Sequence, residues 1–86
     1  MNINQLILIV KKKIEDNISI EEIKVEDKTF LHKNHQSHKE GKFHLKVIIS
    51  SIELKKMNKI KSSKTIYKIL DIELEKYIHS IQILIN

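Results

Sequence analysis

The sequence contains no cysteine, no proline and no tryptophan, and Gly41 is its only glycine. Without cysteine the chain can form no disulfide and offers no thiolate to a metal, so any metal must be held by histidine, carboxylate or a partner. A single glycine excludes the glycine-rich loops that bind phosphate, and no serine stands in a nucleophile motif. We therefore expect the protein not to be an enzyme.

Long apolar runs are also absent. The stretch Leu6-Ile7-Leu8-Ile9-Val10 ends at Lys11, whereas a membrane-spanning helix needs about 18 apolar residues. The basic residues follow this run, but in a signal peptide they precede it. We expect no membrane segment. The lack of an arginine-rich leader favours the cytoplasm, with a mitochondrial or other organellar matrix as the alternative compartment.

Arginine is the third absence. All 16 basic residues are lysine, and the formal net charge is +5. Clustered lysine can neutralise phosphates, but the chain lacks the side chain best suited to bidentate recognition of guanine. Because isoleucine and asparagine are abundant too, the bias is typical of an AT-rich coding sequence, which accounts for part of the charge.

Apolar periodicity predicts one domain over residues 1–86, a length that allows a single small core. Apolar residues at helical spacing predict a first helix over residues 1–18. Alternating residues predict strands at Ile23–Asp27, at Phe43–Ser50 and at His79–Ile85, the last with His79 on the side of its isoleucines. The polar residues 28–42 predict an exposed loop.

Two helical segments are predicted between the second and third strands. Residues 52–61 predict a short helical turn, and Ser62 or Ser63 would cap a longer helix after it. The buried face of that helix would be Ile66, Ile69, Leu70, Leu74 and Tyr77. The predicted order is therefore α-β-β-α-α-β, an α+β fold whose three-stranded mixed sheet begins with an antiparallel pair and carries its helices on one face.

An acidic residue, a threonine and four histidines occupy particular places around these strands. Asp27 ends the first predicted strand and Thr29 follows it. A His-x-x-His pattern in the loop and one histidine at the start of each later strand complete the set, which is His32, His35, His44 and His79. In this order, and from about Ile14 to Ile85, the chain resembles the BolA family, whose fold is similar to a class II KH domain.

The resemblance implies a function. Proteins of this family pair with monothiol glutaredoxins and share a [2Fe–2S] cluster, to which the partner gives a cysteine thiolate and a bound glutathione thiol. His79 would be one ligand, and either His35 or His32 the second, with His35 favoured. Imidazole in place of thiolate makes a cluster less negative and raises its potential. The isolated chain would hold no cofactor and be a monomer or a weak dimer.

The other two histidines are not expected to bind the cluster. His38 is interpreted as a solvated loop residue, and His44, on the face opposite Leu45, as a structural or interface histidine. A zinc site formed by His32, His35 and His38 is an alternative, but three histidines in one loop would bind zinc weakly. A metal-free adaptor that only docks a partner is a further alternative.

A different class of function is the alternative: a transcription regulator that binds nucleic acid through its helical pair. Its candidate residues are Lys59, Lys61, Lys64 and Lys68. A KH domain holds the nucleic-acid backbone with a Gly-x-x-Gly loop, which is missing here, so binding of DNA would be weak and without sequence preference. The family also usually has an Arg-His-Arg segment where this chain has Ser62, Ser63 and Lys64, and an aromatic residue and a glycine where it has Leu54 and Lys56.

Overall fold

The computed structural model describes residues 1–29 and 42–86. Their elements are α1 (Ile3–Asn17), β1 (Glu22–Asp27), β2 (Phe43–Ser50), α2 (Ile52–Lys55), α3 (Lys59–Ile69), α4 (Asp71–Lys76) and β3 (Ile78–Ile85). The predicted α+β class and element order are confirmed, except that the longer helix is divided into α3 and α4. Most of the predicted loop, with His32, His35 and His38, lies outside the described residues. None of the helices described is long and apolar enough to cross a membrane.

The sheet has β2 at its centre, in the order β1-β2-β3. β1 pairs with β2 antiparallel, with Val25 opposite Val47, and β2 pairs with β3 parallel, with Val47 opposite Ile83. The predicted mixed sheet is therefore confirmed. The end of β1 and the starts of β2 and β3 consequently meet at one end of the sheet. The chain segment that joins β1 to β2 leaves and returns at this same end.

One face of the sheet packs against the helices to form the core. The buried apolar side chains are Leu6, Val10, Ile14, Ile18, Val25, Leu45, Val47, Ile49, Leu54, Ile66, Leu70 and Ile78. The first helix is confirmed, and a capping box between Asn2 and Gln5 starts it. Its buried residues Leu6, Val10 and Ile14 recur every fourth position, so they form one stripe against the sheet.

The start of α3 differs from the prediction. The side chain of Asn58 accepts a hydrogen bond of 2.8 Å from the backbone N–H of Lys61 and so caps the helix. Ser62 lies inside the helix, is buried, and donates its hydroxyl proton to the carbonyl oxygen of Lys59. The prediction that Ser62 or Ser63 caps α3 is therefore wrong. Asparagine and serine cap helices equally well, so local sequence alone did not distinguish them.

The division between α3 and α4 falls at Leu70, whose backbone angles (φ −99°, ψ 20°) leave the helical range. Hydrogen bonds still cross the break, since Leu70 N–H donates to Ile66 O and Leu74 N–H donates to Leu70 O. Ile66 and Leu70 are fully buried, while Ile69, Leu74 and Tyr77 pack against the core half-buried. The predicted buried face is therefore confirmed across both helices.

A partly buried ion pair joins α4 to α1. The Nζ atom of Lys13 lies 2.9 Å from each carboxylate oxygen of Glu73. The Glu73 side chain is only 7% exposed, whereas that of Lys13 is 34% exposed. Because α4 leads directly into β3, this pair helps to set where the last strand begins.

Replacing Lys13 by alanine should lower the free energy of unfolding by about 2 kcal/mol, because it leaves the buried Glu73 carboxylate without its cation. The control is Lys12→Ala, which removes an exposed ion pair with Asp16 and should cost less than about 0.5 kcal/mol. Urea unfolding followed by circular dichroism measures both. Equal losses in the two variants would contradict the importance assigned to the partly buried pair.

The cap assignment predicts a second difference in stability. Asn58→Ala should lower the free energy of unfolding by about 1 kcal/mol because it removes the acceptor at the start of α3. Ser63→Ala should leave stability unchanged or slightly raised, since alanine favours a helix interior. The reverse ranking in thermal unfolding would show that the helix starts at the serines after all.

Candidate functional site

The parallel pairing of β2 and β3 contains an irregularity at its first residues. Phe43 lies opposite Ile78, but the next residue, His44, lies opposite Ser80. His79 is therefore an extra residue on β3, a β-bulge, which changes the direction of a side chain relative to a regular strand. Both His79 and Ser80 are exposed, although Ile78 is buried. The predicted alternation holds only from Ile81 onward, and the predicted side for His79 did not allow for this bulge.

His44 occupies the face opposite the helices, as predicted, because it shares its face with Ser80 and not with Leu45. It is nevertheless only 5% exposed. A hydrogen bond of 2.6 Å joins its Nδ1 atom to the Ser80 hydroxyl oxygen. The ring of His44 also contacts that of His79, with centroids 4.9 Å apart and an angle of 64° between the planes. These contacts agree with the structural role predicted for His44.

The acidic residue and threonine of the sequence motif connect β1 to this histidine. The backbone N–H and the hydroxyl of Thr29 both donate to one carboxylate oxygen of Asp27. The Thr29 hydroxyl oxygen in turn accepts a hydrogen bond of 3.2 Å from the backbone N–H of His44. Lys28 N–H donates to the His44 carbonyl oxygen at 2.7 Å. The end of β1 is thus bonded to the start of β2 on both sides of His44.

Of the three predicted ligands, the structure describes one. His79 is exposed at the bulge, whereas His35 and His32 lie outside the described residues. The segment that carries them follows Thr29 and precedes Lys42, whose Nζ atom donates to the carbonyl oxygen of Glu75 at 3.0 Å. Both ends of the segment are therefore held near the starts of β2 and β3. In residues 1–29 and 42–86 no three His, Cys, Asp or Glu side chains cluster closely enough to hold a metal ion.

One described side chain in this region, His79, fits the role of an imidazole ligand to iron. His79 offers an exposed imidazole from a strand that is hydrogen-bonded to its neighbour, and the His44 ring supports it from one side. Imidazole is an established iron ligand in [2Fe–2S] centres. No sequence pattern pointed to Ser80, because its hydrogen bond to His44 depends on the register of two strands that are distant in sequence.

The four lysines of the nucleic-acid alternative divide between two sides of α3. All four are exposed. Lys61, Lys64 and Lys68 lie on one surface with Ile60, which is 70% exposed and does not join the core, whereas Lys59 lies beside β3. The structure therefore presents a basic surface on α3, and binding of nucleic acid to it stays a prediction.

Comparisons with known proteins agree on one family. The family model described as BolA-like protein matches residues 14–86, and no curated protein matches the chain. The BolA domain of SufE1 from Arabidopsis thaliana is similar with a TM-score of 0.83 and 22% identity, over 99% of this chain and 94% of that chain. BolA1 from Arabidopsis thaliana is similar with a TM-score of 0.76 and 24% identity, over 93% of this chain and 88% of that chain. BolA1 from Mus musculus is similar with a TM-score of 0.74 and 18% identity, over 92% of this chain and 62% of that chain.

Ser80→Ala should lower the free energy of unfolding by about 1 kcal/mol, because it removes the partner of a buried imidazole nitrogen. It should also shift the NMR resonances of the His44 ring, since that nitrogen loses its hydrogen bond. The control is Gln82→Ala, an exposed change on the same face of β3, which should leave both quantities unchanged. An unaltered His44 spectrum in Ser80→Ala would refute the bond.

Proposed function

The chain belongs to the BolA family, and from this premise we propose that it partners a monothiol glutaredoxin and shares a [2Fe–2S] cluster with it. The proposed role is non-enzymatic and lies in iron–sulfur assembly, iron–sulfur trafficking or iron sensing. The observation that carries the proposal is the exposed imidazole of His79 at the bulge of β3, backed by the buried ring of His44.

The bulge suits His79 to the role of a ligand. A ligand shared between two proteins must be exposed before they dock, and it must be held in one orientation to give a defined geometry. His79 meets the first requirement because the bulge turns it out of the regular alternation. It meets the second through its ring contact with His44, which is itself bonded to Ser80.

The second ligand in this proposal comes from the segment between β1 and β2. Its attachment points at Thr29 and Lys42 are fixed by hydrogen bonds at the same end of the sheet as His79. His32 follows Thr29 by three positions and His35 follows it by six, so both are close in sequence to a fixed end of the segment. We propose His35 as the second ligand, with His32 as the alternative.

The chain contributes two imidazoles and the partner contributes two thiolates, one from its cysteine and one from glutathione. Such a cluster, when bound, carries less negative charge and has a higher potential than one held by four thiolates. This chain has no cysteine, so both of the ligands that it gives to the cluster are histidines in this proposal. The isolated protein is then expected to hold no cluster and to be a monomer or a weak dimer.

The test mixes the protein with a monothiol glutaredoxin, glutathione, iron and sulfide and records visible absorption and circular dichroism. We expect a heterodimer spectrum that differs from that of the glutaredoxin homodimer. His79→Ala should abolish this difference, because the cluster loses an imidazole ligand, while its free energy of unfolding should change by less than about 0.5 kcal/mol at an exposed site. Gln82→Ala serves as the control and should give the wild-type spectrum.

Separate His35→Ala and His32→Ala variants identify the second ligand, since only the true ligand should alter the spectrum as His79→Ala does.

An unchanged glutaredoxin homodimer spectrum with the wild-type protein would overturn the cluster proposal. Docking of glutaredoxin with equal affinity by wild type and His79→Ala, without any heterodimer spectrum, would instead support a metal-free adaptor.

A further inference from the structure

The two outer strands of the sheet differ sharply in charge. β1 carries four charged residues among six, Glu22, Lys24, Glu26 and Asp27. β3 has eight residues and none of them is charged. An edge strand exposes backbone N–H and C=O groups that can pair with another strand, and charged residues, bulges or a covering element normally prevent this. The bulge at His79 protects only the start of β3, so within the residues that the structure describes the edge from Ile81 to Ile85 lacks these protections.

The direction of the exposed backbone groups follows from the ladder to β2. Asn86 N–H donates to the Ile49 carbonyl oxygen at 2.8 Å. Backbone groups alternate in direction along a strand, so the even-numbered residues of β3 face β2. The N–H and C=O groups of Ile81, Ile83 and Ile85 therefore point away from β2. In the described part of the chain no further strand pairs with them.

A groove of about 400 Å³ lies beside the second half of this edge. Ile83, Leu84 and Ile85 form its strand side, and Lys55, Met57 and Lys59, near the adjoining ends of α2 and α3, lie on its other side. Both lysines are exposed. No acidic residue of the described chain lines the groove. It therefore combines outward backbone donors and acceptors with apolar side chains, two serines and the positive charge of two lysines.

We propose that this groove binds an extended segment of a partner protein that carries carboxylate side chains. The segment adds to the sheet as a fourth strand beside β3 and bonds to the outward backbone groups of Ile83 and Ile85. Added strands gain affinity from main-chain hydrogen bonds and specificity from alternate side chains. The carboxylates then lie against Lys55 and Lys59.

A second copy of this chain fits the groove less well than an acidic segment. Pairing β3 with β3 would bring two sets of Lys55 and Lys59 together on molecules that each have a formal charge of +5, and like charges in an interface oppose association. An acidic segment neutralises the same lysines. Charge complementarity therefore selects the partner segment.

The groove is separate from the site proposed for the cluster. His79 stands at the start of β3 and Ile85 at its end, a distance of about 20 Å along a strand. Both sites can therefore be occupied together, and the groove proposal does not depend on the cluster. Its failure would leave the His79 proposal untouched.

The test selects ten-residue peptides from a random phage-displayed library on the full-length protein. We expect the enriched peptides to alternate β-branched residues with Asp or Glu. A selected peptide should bind the Lys55→Glu, Lys59→Glu double variant about tenfold more weakly, because reversing both charges replaces two attractions by two repulsions; tenfold corresponds to about 1.4 kcal/mol. The matched control, Lys64→Glu with Lys68→Glu, makes the same change in net charge on α3 outside the groove and should bind within about twofold of wild type.

Amide hydrogen exchange locates the bound peptide. The outward N–H groups of Ile83 and Ile85 should exchange at least about tenfold more slowly with peptide, whereas Leu84 and Asn86, which face β2, should change little. Protection at α3 instead, loss of binding in the α3 control, or a library that enriches no acidic peptide would overturn the proposal. Protection of Ile83 and Ile85 that rises with protein concentration alone would replace it by self-pairing of two copies.

Discussion

A strand that returns parallel to its neighbour needs a connection that crosses over the sheet, and the helices α2 to α4 provide it between β2 and β3. The parallel pair brings the starts of both strands to one end of the sheet. His44 and Ser80, which are 36 positions apart in sequence, thereby come within 2.6 Å of each other. The crossover helices also supply the layer that covers the sheet, so the core and the candidate site depend on the same pairing.

The described part of the candidate site is a chain of hydrogen-bonded residues. It runs from Asp27 through Thr29 to His44 and Ser80 and is joined by hydrogen bonds at each step. The His44 ring at its centre contacts the exposed ring of His79. The hydrogen bonds thus fix the position of His44, which in turn limits the orientations open to His79.

The two ends of β3 offer different chemistry. At its start a bulge exposes an imidazole, which suits a metal shared with a partner. Along its second half the strand has no charge and lies beside a groove with two lysines, which suits an extended acidic segment. The two proposals therefore use opposite ends of one strand.

Hydrophobic periodicity alone determined much of this protein. It predicted α1, the three strands, the antiparallel first pair and the buried face across α3 and α4, because side chains in helices and strands repeat with periods that sequence displays directly. The positions of Asp27, Thr29 and the histidines also pointed to the family that the comparison confirms. Local pattern was insufficient at the start of α3, where Asn58 and the serines are equally good caps.

Only the tertiary structure decided the details of the candidate site. The bulge at His79, the burial of His44 and its bond to Ser80 arise from the register between two strands that are distant in sequence. Register depends on which side chains fit together across the whole sheet and on how the crossover helices pack. No period within β2 or β3 contains that information, since a bulge shifts the pairing without changing the residues on either side of it.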